Sequence, residues 1–168
     1  MNSEELKSLQ TPLKDKYRKE PESAIITLKA RGTIGDGISC NVETGRALVE
    51  AGLHPATGGN GLLACSGDLL LQALVACAGV TLNAVATAIE IEIKDGIVKA
   101  EGDLDFRGTL GVTKDVPVGF KEKRLQFMID SNADSDKIET LLKLTERYCV
   151  VYQTLKNGVE MKTTLQKL

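Results

Sequence analysis

No tryptophan occurs in the chain and only one histidine, His54, while aromatic residues make up 4% of its 168 positions. A single imidazole cannot supply a His-Glu-x-x-His motif or a three-histidine zinc site, which excludes histidine-based metalloenzymes. So few aromatics leave little material for stacking nucleobases or caging a cationic ligand. An excess of charge of one sign is also missing. Lysine and arginine number 21 against 23 acidic residues, a formal net charge of -2, which offers no broad basic face to nucleic acid or anionic lipid. The four cysteines, Cys40, Cys65, Cys77 and Cys149, lie 25, 12 and 72 positions apart and form no Cys-x-x-Cys pair. Neither a zinc ribbon nor a thioredoxin-type motif can be read from that spacing. The first ten residues, MNSEELKSLQ, hold charge and no apolar run, so the expectation is no secretory signal and a cytoplasmic location where thiols stay reduced.

What is present is ordinary globular material: 42% hydrophobic residues, 26% charged, and a mean hydropathy of -0.07. That is too apolar for a disordered chain and too polar for a multi-span membrane protein. The length suits one domain. Residues 1–20 read as a polar helical arm, with Thr11 placed to cap ahead of Pro12, and residues 21–168 as a single domain. Alternation in SAIITLKARG (23–32), a turn around Asp36 and Gly37, and ISCNVET (38–44) predict a β-hairpin. GLHPATGGNGLLACS (52–66) is a long glycine-rich connection, and long connections within compact domains are often functional. The pair Asp95-Gly96, inside a period-two stretch, predicts a two-residue hairpin turn. RLQFMID (124–130) reads as a strand and residues 134–148 as a helix capped by Asp134 or Ser135. Asn157-Gly158 then predicts a turn into a last strand, VEMKTTL (159–165). The fold class is therefore α+β with a mostly antiparallel sheet.

The most informative segment is GDLLLQALVACAGVTLNAVATAI, residues 67–89, apolar on nearly every face. A helix of that kind is buried in a core or a bilayer. Acidic flanks at Asp68, Glu90 and Glu92, with no basic cluster at either end, favour the core over a membrane span. Ser66 is placed to cap it and Asp68 complements its dipole. A helix of about 22 residues spans roughly 33 Å, more than one small domain covers on all sides, and a homodimer would cover it.

Cys77 falls in the middle of that helix within ACAG, among small side chains that leave room around the sulfur. Two readings stand: a packing thiol, since free cysteine is among the most buried residues, or a reactive one. The same two apply to Cys149, which sits where a helix ends and an apolar run begins. His54 reads as a solvated loop residue or a relay at the helix entrance. Cys40 alternates with apolar neighbours and reads as packing. Cys65, about 18 Å from Cys77 if both shared one straight helix, cannot bridge to it.

Read together, these contexts carry a family resemblance. SGDLLLQALVACAGVTL (66–82) resembles the central-helix signature of the osmotically inducible protein C and organic hydroperoxide resistance (OsmC/Ohr) family. TERYCVVYQTL (145–155) is similar to its second cysteine segment and DLDFRGTLGV (103–112) to its middle strand. The resemblance covers about residues 20–168 and is nearest the generic OsmC-like branch. It implies an intertwined homodimer with a long buried central helix and a second helix packed on the sheet. It implies, too, a peroxidase in which Cys77 attacks an organic hydroperoxide, becomes a sulfenic acid, and is resolved by Cys149 as an intrachain disulfide. The reductant implied is a dithiol or lipoyl-type thiol, with no metal, flavin or haem. Leu69, Leu70, Leu71 and Leu74 would supply an apolar wall suited to an alkyl peroxide.

A buried thiol needs a neighbouring positive charge to ionise. The family places an arginine at the end of an early strand, and Arg31 matches that position, with Arg46 the alternative cation. The best-characterised members carry a glutamate ten positions before the reactive cysteine. Here that position is Gly67, and the nearest acid, Asp68, either supports the arginine or only caps the helix. The rival expectation is a non-enzymatic dimer that binds a small apolar molecule or electrophile in the cleft between the helices. A purely structural dimer is the third.

Overall fold

The computed structural model describes residues 2–19, 31–34, 39–43 and 48–167. Its first element, α1 (Ser3–Lys19), starts well before Thr11 and holds Pro12 in its interior. The reason lies at Asn2 and Glu5, which cap reciprocally: the Glu5 amide donates to Asn2 Oδ1 at 2.8 Å and the Asn2 amide to Glu5 Oε2 at 2.9 Å. This capping box satisfies two helix-end donors and outweighs Thr11 as a start signal.

Strands β1 (Arg31–Ile34), β2 (Ser39–Glu43) and β3 (Leu48–Gly52) form an antiparallel meander, joined on the β3 side by the short parallel strand β4 (Ala64–Cys65). The expected first hairpin is there as β1 and β2, with Ile34 opposite Cys40. The alternating residues 23–30 and the turn at Asp36 and Gly37 lie outside the described residues. The connection from 53 to 63 holds a 3-10 turn at Pro55–Thr57.

Helix α2 (Ser66–Ala88) follows at once. Cys65, not Ser66, takes the N-cap position, without a side-chain cap bond, and Asp68 supplies the acidic first turn. α2 is long and apolar enough to cross a bilayer. Here it packs instead against β5, α4 and α5, burying the stripe Leu74, Ala78, Leu82, Val85 and Ala86. Its other face is open, with Val80 72% exposed. The helix stops at a left-handed residue, Glu90 (φ 59°). There the Ile91 amide donates back to the Ala86 carbonyl at 2.8 Å and that of Glu90 to the Thr87 carbonyl at 3.3 Å, the Schellman arrangement. It turns Ile91 into the core.

Strand β5 (Asp95–Asp103) pairs antiparallel with β6 (Glu122–Asp130) along its whole length. The expected two-residue turn at Asp95-Gly96 is therefore corrected: these residues open β5 opposite Asp130 and Ile129. Gly96 answers a close approach and not a turn, since a Cβ there would stand 3.2 Å from Ile129 Cγ2 and 3.3 Å from the Met128 carbonyl oxygen. The link between the two strands is long and includes α3 (Phe106–Thr109), capped by Asp105, whose carboxylate accepts from the Arg107 amide at 3.1 Å and from its guanidinium.

Helix α4 (Ser135–Tyr148) is capped by Asp134, which accepts from the Lys137 amide at 2.9 Å. Its buried Leu141 joins Leu82, Val85, Ala86 and Ile91 in the core, with Phe127 and Ile129 of β6 packed on it. After Cys149 a further helix, α5 (Val150–Asn157), stands where only an apolar run was anticipated. The last expected strand is not formed either: residues 159–165 are outside any ladder, with Met161 86% and Leu165 98% exposed. An alternating segment becomes a strand only when an edge pairs with it. Mixed helix and antiparallel sheet around one long helix is nonetheless the class anticipated.

Candidate functional site

The described residues bring two of the anticipated site residues together, Cys77 and Cys149. α2 presents Cys77 half-buried between the buried Leu74 and Ala78. Cys149 is 1% exposed and forms the joint between α4 and α5. Its amide closes α4 on the Thr145 carbonyl at 2.9 Å, and its carbonyl opens α5 by accepting from Gln153 at 2.9 Å. Its backbone is extended there (φ -72°, ψ 108°), so α5 leaves in a new direction. Two side chains hold the joint: buried Thr145 donates to the Leu141 carbonyl at 2.7 Å, and Gln153 Nε2 to the Glu146 carbonyl at 2.7 Å.

This joint aims the amino end of α5 at α2. Burial pushes the Cys77 thiol up, but the amide of Val151, the Cys149 thiol, the amide of Val150 and the Thr81 hydroxyl act against it, and the net shift is below the ordinary value of 9.0. Of these, Thr81 is already committed, since its hydroxyl donates to the Cys77 carbonyl at 2.8 Å, and one proton serves one acceptor at a time. The amides and the Cys149 thiol are thus the principal donors. Cys149 moves the other way. Burial raises it, the amide of Tyr152 opposes that, and the Cys77 thiolate raises it further. One sulfur is set up to ionise and its neighbour to keep its proton, as one coupled pair.

Arg31 opens β1, opposite Glu43, and its side chain lies outside what is described, as does Arg46 altogether. Asp68 is in the first turn of α2, nine residues and so roughly 13 Å along the axis from Cys77. His54 is engaged locally: its Nδ1 accepts from the Ala56 amide at 3.1 Å and its ring stacks on Phe106 at 5.0 Å. Cys65 is half-buried at the start of α2 and Cys40 is a β2 residue. Among the described residues no group of three histidine, cysteine or acidic side chains converges on a metal position.

Sequence reasoning missed the amides of Val150 and Val151. Backbone donors leave no mark in composition, and the one available signal was Cys149 itself, a poor helix residue at the end of the helical pattern 134–148. Beside the pair a cavity of about 690 Å³ opens between β6, α4 and α5, floored by Leu74, Leu82 and Leu141 and walled by Phe127, Tyr152 and Leu155. It reaches within one helical turn of each cysteine, through Leu74 and Tyr152.

Residues 59–164 match the family model described as OsmC-like protein. Curated proteins give no match. Among solved structures, an OsmC-like protein from Mycoplasma pneumoniae is 18% identical, with a TM-score of 0.67 over 79% of this chain and 89% of that one. An organic hydroperoxide resistance protein OsmC from Legionella pneumophila is 19% identical, with a TM-score of 0.62 over 81% and 93%. An organic hydroperoxide resistance protein from Elizabethkingia anophelis is also 19% identical, with a TM-score of 0.62 over 81% and 92%. At these identities the likeness is one of fold.

Proposed function

The chain belongs to the OsmC-like protein family, and on that premise we propose that it is a thiol-dependent peroxidase of organic hydroperoxides. Neighbours named as organic hydroperoxide resistance proteins support a peroxide-related role. The observation that carries the finer reading is the contact of Cys77 with Cys149, one thiol lowered and the other raised.

In this reading the Cys77 thiolate attacks the distal peroxide oxygen, the O–O bond breaks, and the alkoxide leaves as an alcohol after taking a proton. Cys77 is then a sulfenic acid. Cys149 gives up its proton as its sulfur attacks that of Cys77; the S–S bond forms as the S–O bond breaks, and the hydroxyl leaves with the proton as water. A dithiol or lipoyl-type reductant returns both thiols. Arg31 is proposed as the cation facing the thiolate and Asp68 as its support. The working form is proposed as a cytoplasmic homodimer.

A second reading has one observation in its favour: the apolar cavity is large enough for a small ligand while neither cysteine lines it. In that case the dimer binds an apolar molecule there and the thiols stay reduced. Intact mass and free-thiol counting after one equivalent of cumene hydroperoxide separate the two. The peroxidase loses two thiols per chain, gains one oxygen in Cys149→Ser, and is silent in Cys77→Ser. No thiol loss in the unmodified protein would sink it.

A further inference from the structure

We propose that the Thr81 hydroxyl is a movable hydrogen-bond donor for Cys77, resting on its carbonyl oxygen while the thiol keeps its proton and turning onto the sulfur when the thiol ionises. The inference deepens the peroxidase reading and rests on Cys77 being the reacting thiol.

Thr81 follows Cys77 by four positions within α2, so the two share one face of the helix, one turn apart. Side chains on a helix lean toward its amino end, which carries the Thr81 hydroxyl back over residue 77. The structure holds it there: Thr81 Oγ1 donates to the Cys77 carbonyl oxygen at 2.8 Å. That oxygen and the Cys77 sulfur are joined through the carbonyl carbon, Cα and Cβ alone, so a donor seated on the one reaches the other by a turn about its own χ1. The electrostatics agree with this placement, since the Thr81 hydroxyl is among the groups that hold the Cys77 thiol down.

The bond to the carbonyl is one that can be given up. Within α2 the Cys77 carbonyl is the regular acceptor of the amide four residues on, that of Thr81 itself, so the hydroxyl adds a second bond to an oxygen already satisfied. A hydrogen bond to an ionised acceptor is roughly twice as strong as one between neutral groups. Ionisation of Cys77 therefore tips the single hydroxyl proton from oxygen to sulfur. Bonding to the preceding turn is common for threonine in this fold: Thr87 makes it to the Asn83 carbonyl at 2.8 Å and Thr145 to that of Leu141 at 2.7 Å. Thr81 differs in that the residue one turn before it carries a thiol. Among the described residues, Cys149 at the joint of α4 and α5 is the titratable neighbour acting on Cys77, and it keeps its proton while Cys77 ionises. The Thr81 hydroxyl does not titrate, so it can serve the thiolate wherever the thiolate exists. Once Cys77 is oxidised to the uncharged sulfenic acid, the pull on the hydroxyl is gone; it returns to the carbonyl and leaves the sulfur open to Cys149.

Thr81→Val removes the hydroxyl and keeps the shape of the side chain, and Thr81→Ser keeps the hydroxyl without the methyl. Thr87→Val deletes the same kind of bond elsewhere in α2 and controls for its effect on the helix. Site-resolved alkylation of Cys77 in the reduced full chain, followed across pH, reads where the thiol ionises. Thr81→Val is expected to move that midpoint up, so that the thiolate fraction below it falls about three- to tenfold, while Thr81→Ser and Thr87→Val keep the parent midpoint. An unmoved midpoint in a Thr81→Val protein with native circular dichroism overturns the proposal. So does a serine variant that fails to restore the midpoint, or an equal shift in Thr87→Val, which would trace the effect to the helix and not to the donor. If the valine variant does not fold, Thr81→Ala, which removes the same hydroxyl with a stronger helix former, is read in the same way. Loss of thiols to cumene hydroperoxide is scored separately. A Cys77 midpoint that responds to Thr81→Val without any peroxide reaction supports the movable donor while overturning the peroxidase reading.

Discussion

Cys77 and Cys149 sit against each other with their thiols displaced in opposite directions, Cys77 below the ordinary value and Cys149 above it. The asymmetry follows from where each lies. Cys77 is half-buried and faces the amides that open α5; Cys149 is fully buried, and its neighbour's negative charge works against its own ionisation.

In the reduced protein the pair is expected to release its first proton below pH 9 and its second above it. Iodoacetamide should therefore label Cys77 first as pH rises, and Cys149 only at higher pH. Stability follows the same signs. The lowered Cys77 contributes stabilisation that is complete above its unfolded value and lost as pH falls through its folded one; the raised Cys149 contributes below its unfolded value and loses this as pH rises through its folded one. Urea midpoints of Cys77→Ser and Cys149→Ser against the parent, measured across this range, should diverge in those directions. A single common alkylation midpoint for both cysteines would refute the asymmetry.

The open face of α2 predicts association. Val80 on the helix is 72% exposed. Sedimentation at micromolar concentration is expected to give a dimer, and Val80→Asp a monomer, because a carboxylate buried without a partner costs several kcal/mol, on the order of a marginal interface's whole surplus. A monomer in the parent protein would remove the dimer from the proposal.

Gly102 makes room for Phe120. A Cβ at this position would sit 2.5 and 2.6 Å from two ring carbons. Gly102→Ala is expected to displace the ring and to cost about 1–3 kcal/mol, the range for overpacking a filled site. Chemical denaturation reads the loss, and a simultaneous Phe120→Leu should recover part of it. A neutral Gly102→Ala would mean that the ring has somewhere else to go.

Glu90 ends α2 in the left-handed region at φ 59°, where a side chain is strained by about 1–2 kcal/mol. Glycine relieves that strain but loses more freedom on folding, so Glu90→Gly is expected to stabilise by about 0.5–1 kcal/mol. A raised urea midpoint with an unchanged slope is the signature; a lowered one would assign Glu90 a favourable contact that outweighs its backbone.

Much of the architecture is decided within reach of local pattern. An apolar run of this length reads as one long helix and its acidic flanks favour packing in a core, and α2 occupies residues 66–88 accordingly. The capping residue Asp134 and the strand at 124–130 follow from short-range chemistry and period-two alternation. The two reactive candidates, Cys77 and Cys149, were legible as contexts along the chain.

Tertiary structure alone decided the rest. Asp95-Gly96 is a turn sequence, yet the glycine is used for closeness to Ile129, a neighbour 33 positions on. VEMKTTL alternates like a strand but has no edge beside it in the described chain. Above all, Cys77 meets Cys149 and the amides of Val150 and Val151 across 72 positions, because α4 ends at an extended residue and α5 is redirected toward α2. Periodicity and capping act over three or four residues, so they shape each helix separately. Which helix end faces which sulfur is settled by packing, where the sum of buried apolar contacts outweighs any local preference.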